Sequence, residues 1–209
     1  MRKLLFLLFT LLALQTAHAQ SKVGIKFSPT LSTNRINDVS NGVSYSSNGV
    51  GGRFIFGPVV DLFITENYYF STGLLYVPKR VGITITEPGS PTIEEAYRLQ
   101  YLQIPATLKL FTNELALDTR VYFQLGGLFE LKISDKPSEE TYVNVEGFRL
   151  FDLGVHLGTG VEYRVGYNTL LFGGLYYNRG LINVVTKTIG NADINIKNDL
   201  LGLELGVKF

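Results

Sequence analysis

Leu201-Gly202-Leu203-Glu204-Leu205-Gly206-Val207-Lys208-Phe209 carries an apolar side chain at every odd position and glycine or a charge at every even one. A period of two is that of a β-strand with two unlike faces. The pattern recurs upstream. Val121, Phe123, Leu125, Phe129, Leu131 and Ile133 oppose Arg120, Tyr122, Gln124, Glu130 and Lys132. Phe151, Leu153, Val155, Leu157, Val161 and Tyr163 oppose Asp152, His156, Glu162 and Arg164, with Gly154, Gly158 and Gly160 between the polar positions. Near the start, Val23, Ile25 and Phe27 oppose Gly24, Lys26 and Ser28.

Two architectures produce such alternation. A soluble lipocalin-like barrel turns the apolar face inward around a ligand. A membrane barrel turns it outward to lipid and keeps the polar face inside. The polar face here mixes glycine with charges of both signs. That mixture suits an interior just wide enough for side chains to fill, and a solvated face would not need so much glycine. The charges Arg53, Asp61, Lys109, Arg120, Glu130, Asp152, Glu162, Glu204 and Lys208 are therefore expected to form a pairing network in the lumen, because buried charges are tolerated when paired and hydrogen-bonded.

Eight segments read as strands: 22–33, 50–64, 68–82, 97–111, 119–133, 147–165, 169–184 and 199–209. Each is long enough for a tilted membrane strand of roughly 9–11 residues. The connections alternate strictly between long polar loops (34–49, 83–96, 134–146, 185–198) and short turns (65–67, 112–118, 166–168). Outer-membrane barrels alternate in this way, with the short turns in the periplasm. The expected fold is an all-β, eight-stranded antiparallel up-and-down transmembrane β-barrel of the outer membrane, with both termini periplasmic. Tyr68, Tyr69, Phe70, Phe111, Tyr163, Tyr167 and Phe209 are expected near the periplasmic ends as an aromatic girdle. Pro58, Pro78 and Pro105 cannot donate to a ladder, so the register beyond each is left open.

The first residues read as a secretory signal. Arg2 and Lys3 precede an apolar run from Leu4 to Leu14, and Ala17-His18-Ala19 supplies small residues for cleavage between Ala19 and Gln20. The run falls short of the ~18 residues of a membrane-spanning helix. Residues 1–19 are thus a signal peptide and 20–209 the barrel domain. Removing the signal takes away Arg2 and Lys3 and no acid, moving the formal charge from +1 to −1. That balance argues against a nucleic-acid partner. The absence of cysteine excludes disulfides and thiolate chemistry.

No catalytic, cofactor or metal site is expected. His156 is the one histidine of the mature chain. It lacks a nucleophile and an orienting acid at workable spacing, and scattered carboxylates give no ligand pattern. Gly173-Gly174 has no Lys-Ser/Thr after it and is no phosphate loop. Lys79, Arg80, Lys132 and Arg149 fall near the outer rim, where they would meet lipopolysaccharide phosphates or serve as ordinary rim charge; the second reading is favoured.

Leu99-Gln-Tyr-Leu-Gln-Ile-Pro-Ala-Thr-Leu-Lys-Leu110 resembles the Tyr-Leu-x-Ile-Pro-x-x-x-Lys strand of the PorT-like barrels of Bacteroidetes. Ser71-Thr-Gly-Leu-Leu-Tyr-Val-Pro-Lys79, Val23-Gly-Ile-Lys26 and Gly202–Phe209 resemble that family's preceding, opening and closing strands, so the likeness spans the mature chain. The resemblance implies an outer-membrane barrel, some of whose relatives assist type IX secretion. Many outer-membrane proteins have glycine five residues before the terminal aromatic, where this chain has Glu204. Val207 and Phe209 still end the apolar row that barrel assembly machinery is expected to read.

Eight strands fill their lumen, whereas an aqueous channel needs 16–18. The expected role is structural or interactive, with outer-membrane lipid and lipopolysaccharide, the assembly machinery and secretion-system proteins as partners, and the loops at 83–96 and 134–146 as contact surfaces. The alternatives are a narrow channel or small-ligand transporter, a lipid-acting membrane enzyme, for which no Ser-His or carboxylate cluster stands near the rim, and a soluble lipocalin-like barrel.

Overall fold

The computed structural model describes residues 21–38, 43–138, 145–188 and 194–209. The expected signal peptide and its cleavage point between Ala19 and Gln20 lie outside them. The strands are β1 (Lys22–Asp38), β2 (Ser44–Ser47), β3 (Gly51–Thr65), β4 (Tyr68–Gly73), β5 (Leu75–Thr86), β6 (Ile93–Phe111), β7 (Thr119–Pro137), β8 (Val145–Phe148), β9 (Phe151–Arg164), β10 (Leu170–Gly180), β11 (Val185–Thr188) and β12 (Ile194–Lys208).

Eight of these positions close into a ring: β1, β3, β4 with β5, β6, β7, β9, β10 and β12, each antiparallel to its neighbours, with β12 returning to β1. Across successive ladders Lys22 faces Asp61, Asp61 faces Ser71, Ser71 faces Thr107, Thr107 faces Gly126, Gly126 faces His156, His156 faces Asn178, Asn178 faces Leu200 and Leu200 faces Ser32. One circuit therefore climbs β1 by ten residues, from Lys22 to Ser32. With eight strands, that stagger tilts them by roughly 40° to the barrel axis. The seam is completed by Phe209 N–H to Val23 O at 2.8 Å and Val23 N–H to Phe209 O at 3.2 Å.

Alternation along the tilted strands sets the two faces. Val23, Ile25, Phe27 and Leu31 of β1 are exposed on the outside, as are Phe123, Leu125 and Phe129 of β7 and Leu201, Leu203 and Leu205 of β12. The outward run from Val23 to Leu31 rises roughly 20 Å at this tilt, close to the ~25 Å apolar band of an outer-membrane barrel. A belt of large apolar side chains all round the wall requires a lipid solvent. Tyr69 and Phe111 depart from the expected girdle: both point inward and are buried, with Lys22 Nζ 5.1 and 5.5 Å from their ring centres.

The three prolines leave the faces in phase. Pro58 is exposed outward between buried Gly57 and Val59, Pro105 is buried inward, and the odd positions stay inside on both sides of Pro78. Their effect is local. The register Ser71–Thr107 continues unchanged as Leu75–Gln103, which puts Pro105 opposite Gly73. Its missing N–H removes a ladder bond there, and the strand is interrupted at Leu74, which still donates to Pro58 O at 3.0 Å. β4 and β5 are thus one wall of the barrel.

Short turns connect the strands at the end that carries the termini. Asp118, at φ +58°, supplies the left-handed residue of the turn before β7, a conformation Asp tolerates better than most.

The far end corrects the expectation of polar loops. β1 runs to Asp38, β5 to Thr86, β7 to Pro137, and β6 and β12 begin at Ile93 and Ile194. Much of the expected loops 34–49, 83–96, 134–146 and 185–198 is therefore extended wall, with β2 added to β5 and a separate β8–β11 ribbon. Conversely, the sixth and seventh expected strands are shorter: β9 starts at Phe151 and β10 ends at Gly180. The inward side of this end is largely apolar. Val81, Ile83, Leu99, Tyr97, Phe148, Val184, Ile194 and Ile196 are buried together, with Asn34, Glu95 and Asn198 as buried polar residues beside them. Hydrophobic burial explains why strands continue past the lipid belt.

β5 also leaves β3 there, pairing with it only at Phe56–Tyr76 within the named strand, and meets β1 across the interior. The Asn34 amide donates to Gly82 O and accepts from Gly82 N–H, both at 3.0 Å. Arg80 N–H donates to Ser32 Oγ at 2.9 Å. A side-chain amide here takes the place of a neighbouring strand.

Candidate functional site

The interior is the part of this fold where chemistry is concentrated, and it is organised in levels. Nearest the termini, Lys208 Nζ bridges Asp61 and Glu162, the second at 2.9 Å. Lys22 reaches Glu162 at 2.6 Å, and Lys109 stands 3.9 Å from Asp61. Ser71 donates to Asp61 at 2.6 Å. Lys109 also lies 3.7 Å from the centre of the Tyr122 ring, a close cation–π arrangement. One step further in, Lys26 pairs with Glu204 at 2.5 Å, and the Tyr122 hydroxyl donates to the other Glu204 oxygen.

The middle level is neutral. His156 Nδ1 and Asn178 Oδ1 are 2.6 Å apart, and the imidazole stacks on Tyr176 with centroids 5.5 Å apart. Thr30 bonds the Tyr176 hydroxyl at 2.8 Å. Above it, Lys79 bridges Glu130 and Asp152, the latter at 3.1 Å, and Gln103 donates to Glu130 at 2.5 Å. The apolar cluster of the far end lies over this group.

These ion pairs join five ammonium groups (Lys22, Lys26, Lys79, Lys109, Lys208) to five carboxylates (Asp61, Glu130, Asp152, Glu162, Glu204). The set is electrically balanced, as charges removed from water need to be. Glycines on the inner face give the rings their space. A Cβ on Gly160 or Gly174 would collide with the Tyr122 hydroxyl, and one on Gly206 with the Phe172 ring. Among Lys26, Gln103, His156, Tyr176 and Glu204 lies a cavity of about 30 Å³, enough for one or two waters. His156 Nε2 and Asp152 Oδ1 are buried without a protein partner.

Of the nine charges expected inside, Asp61, Lys109, Glu130, Asp152, Glu162, Glu204 and Lys208 meet in these pairs. Arg53 and Arg120 stand apart. Arg53 donates to Gly52 O in an exposed bond. Arg120 closes the terminal end, donating to Thr112 O at 3.2 Å, Glu66 O at 2.9 Å and Asn67 Oδ1 at 2.6 Å. Lys79 corrects the rim reading: it is buried at the centre of the upper ion-pair group. Lys132 is engaged as well, with Asp135 and Phe148 O each at 2.6 Å. Arg80 donates to Asn48 O, and Arg149 remains exposed. Lys22 and Lys26 were missing from the expected set, although the inward parity of β1 marks both.

Among the described residues no group of three or more His, Asp or Glu is arranged to hold a metal. Val207 sits between Ile25 and Leu171, and Phe209 projects outward at the seam.

A closed ring of eight tilted strands, apolar outside and filled with balanced charge, defines an outer-membrane β-barrel. The family described as outer membrane protein beta-barrel domain matches residues 15–186, and the chain belongs to it. No curated protein matches the chain. Among solved structures it is similar to the outer membrane protein OprG of Pseudomonas aeruginosa, with a TM-score of 0.55 and 11% identity over 90% of this chain and 95% of that one. It is also similar to Neisserial surface protein A, with a TM-score of 0.48 and 15% identity over 90% and 97%. The attachment invasion locus protein Ail of Yersinia pestis gives a TM-score of 0.41 and 10% identity over 90% and 99%. At 11% identity the likeness to OprG is one of fold.

Proposed function

We propose that this protein is a closed, non-conducting scaffold of the outer membrane whose folded far end is a docking surface for other envelope proteins. The observation that carries this reading is the filled interior: ion pairs at two levels, aromatic rings between them and an apolar cluster above, with a cavity of about 30 Å³ at the middle level. A solute-conducting role needs a continuous wet path. The far end, by contrast, extends the wall by several residues per strand, and loops carried on such scaffolds present recognition surfaces.

In this reading both termini face the periplasm and the longer connections face the cell exterior. Residues 1–19 direct export, and the assembly machinery recognises the last strand through Val207 and Phe209. The likeness of 99–110 to the PorT-like Ile-Pro strand supports secretion-system proteins as the partners. Photo-crosslinking in intact cells tests this, with the crosslinking residue at Glu94 or Ser138 of the far end and at lipid-facing Leu125 as reference. The expected result is capture of envelope proteins from the first two positions and of lipid from the third. Capture of lipid alone from all three would contradict the docking role.

A further inference from the structure

Arg80, Arg98 and Lys136 form a row on the outer wall. Arg80 is directly opposite Arg98 across β5–β6, and Arg98 directly opposite Lys136 across β6–β7. Like charges in directly opposed positions repel. Arg53 adds to the repulsion, being subject to the charge of both Arg80 and Arg98. Arg53 Cζ and Arg80 Cδ both come within 3.5 Å of the point a Cβ on Gly51 would occupy. The outward neighbours along the three strands are Pro78, Gly82, Ala96, Gln100, Ser134 and Ser138, and none is acidic.

The opposite wall is built differently. There Arg35 is held by both oxygens of Asp199 at 2.6 and 3.1 Å, and Tyr177 donates to the same carboxylate at 3.0 Å. Position adds a second observation. The row begins where the apolar belt ends: the outward pair Tyr76–Leu102 is followed by Pro78–Gln100 at the next outward position and by Arg80–Arg98 at the one after. Beside Arg53, an apolar groove of about 490 Å³ runs along the lipid face between Pro29, Leu31, Phe54, Leu201 and Leu203.

We propose that Arg53, Arg80, Arg98 and Lys136 bind the phosphate of a membrane lipid, with one of its acyl chains in the groove beside Arg53. Guanidinium groups bind phosphate oxygens by paired, charge-assisted hydrogen bonds, and an anion there relieves the repulsion within the row. The groove supplies an apolar surface that a free phosphate ion cannot use.

The test is native mass spectrometry of the refolded full chain in neutral detergent, titrated with phosphorylated lipid A, with the same lipid dephosphorylated, and with inorganic phosphate. The phosphorylated lipid is expected to be retained at least about tenfold more tightly than the other two. The Arg98→Gln/Lys136→Gln variant should lose that preference, whereas Arg98→Lys and the distant Arg179→Gln should keep most of it. Folding of each variant is checked by its heat-dependent gel shift. Equal retention of the dephosphorylated lipid, binding of inorganic phosphate alone, or an unchanged preference in the folded double variant would overturn the proposal.

Discussion

At the scale of single residues, the interior is a set of obligate partners. Lys208 lies between Asp61 and Glu162 with all three side chains buried. Removing it leaves two carboxylates in a low-dielectric lumen with only Lys22 and Lys109 nearby, so Lys208→Met is expected to destabilise the barrel by about 3–5 kcal/mol. Urea titration of the protein in lipid vesicles measures this, and a change within about 0.5 kcal/mol would mean the pairs are dispensable. Space is as strict as charge. Gly160→Val drives a side chain into Tyr122 and is expected to prevent formation of the heat-modifiable barrel. Gly127→Val, at a lipid-facing glycine with nothing within 4 Å of the added atom, should fold normally. The sign alternation of Glu204 and Lys208 against Leu203 and Leu205 made these inward positions legible. The partner of each was not legible, because it is set by the stagger of ten residues around the ring, which alternation along one strand does not contain. Lys79 shows the consequence: its sequence position reads as rim, and the tilt carries it to the level of Glu130 and Asp152.

At the scale of elements, the membrane-spanning strands and the short turns were readable from period-two patterning and turn residues such as Asn67 and Asp118. The extensions beyond the belt were not. Thr84, Glu94, Asn195 and Lys197 give those stretches a polar composition, and their inward partners Ile83, Ile85, Ile194 and Ile196 gain burial only once strands from distant parts of the chain converge. The far end is nevertheless tied to the barrel by specific bonds. Asn34 pairs both backbone groups of Gly82, so Asn34→Leu strands buried polar groups at a cost of about 1–3 kcal/mol. Hydrogen exchange should then speed up in β2 and the upper part of β5 while β7 and β9 stay protected. Uniform protection in the variant would show that the Asn34 bridge does not hold the far end closed.

At the scale of the whole molecule, the barrel solves two solvation problems with one alternating pattern. Its outside offers lipid a belt of Leu, Phe, Val and Ile, and its inside replaces water with balanced ion pairs, tyrosines and a far-end apolar cluster. In the proposed reading, that arrangement makes the wall a support and leaves recognition to the folded far end and to the cationic row at the edge of the belt. The central claim is that no continuous aqueous path crosses this barrel. Single-channel recording in planar bilayers, with the refolded protein in molar potassium chloride, tests it most directly. Insertion without discrete conductance steps is the predicted result; reproducible open-channel steps that scale with salt concentration would contradict it.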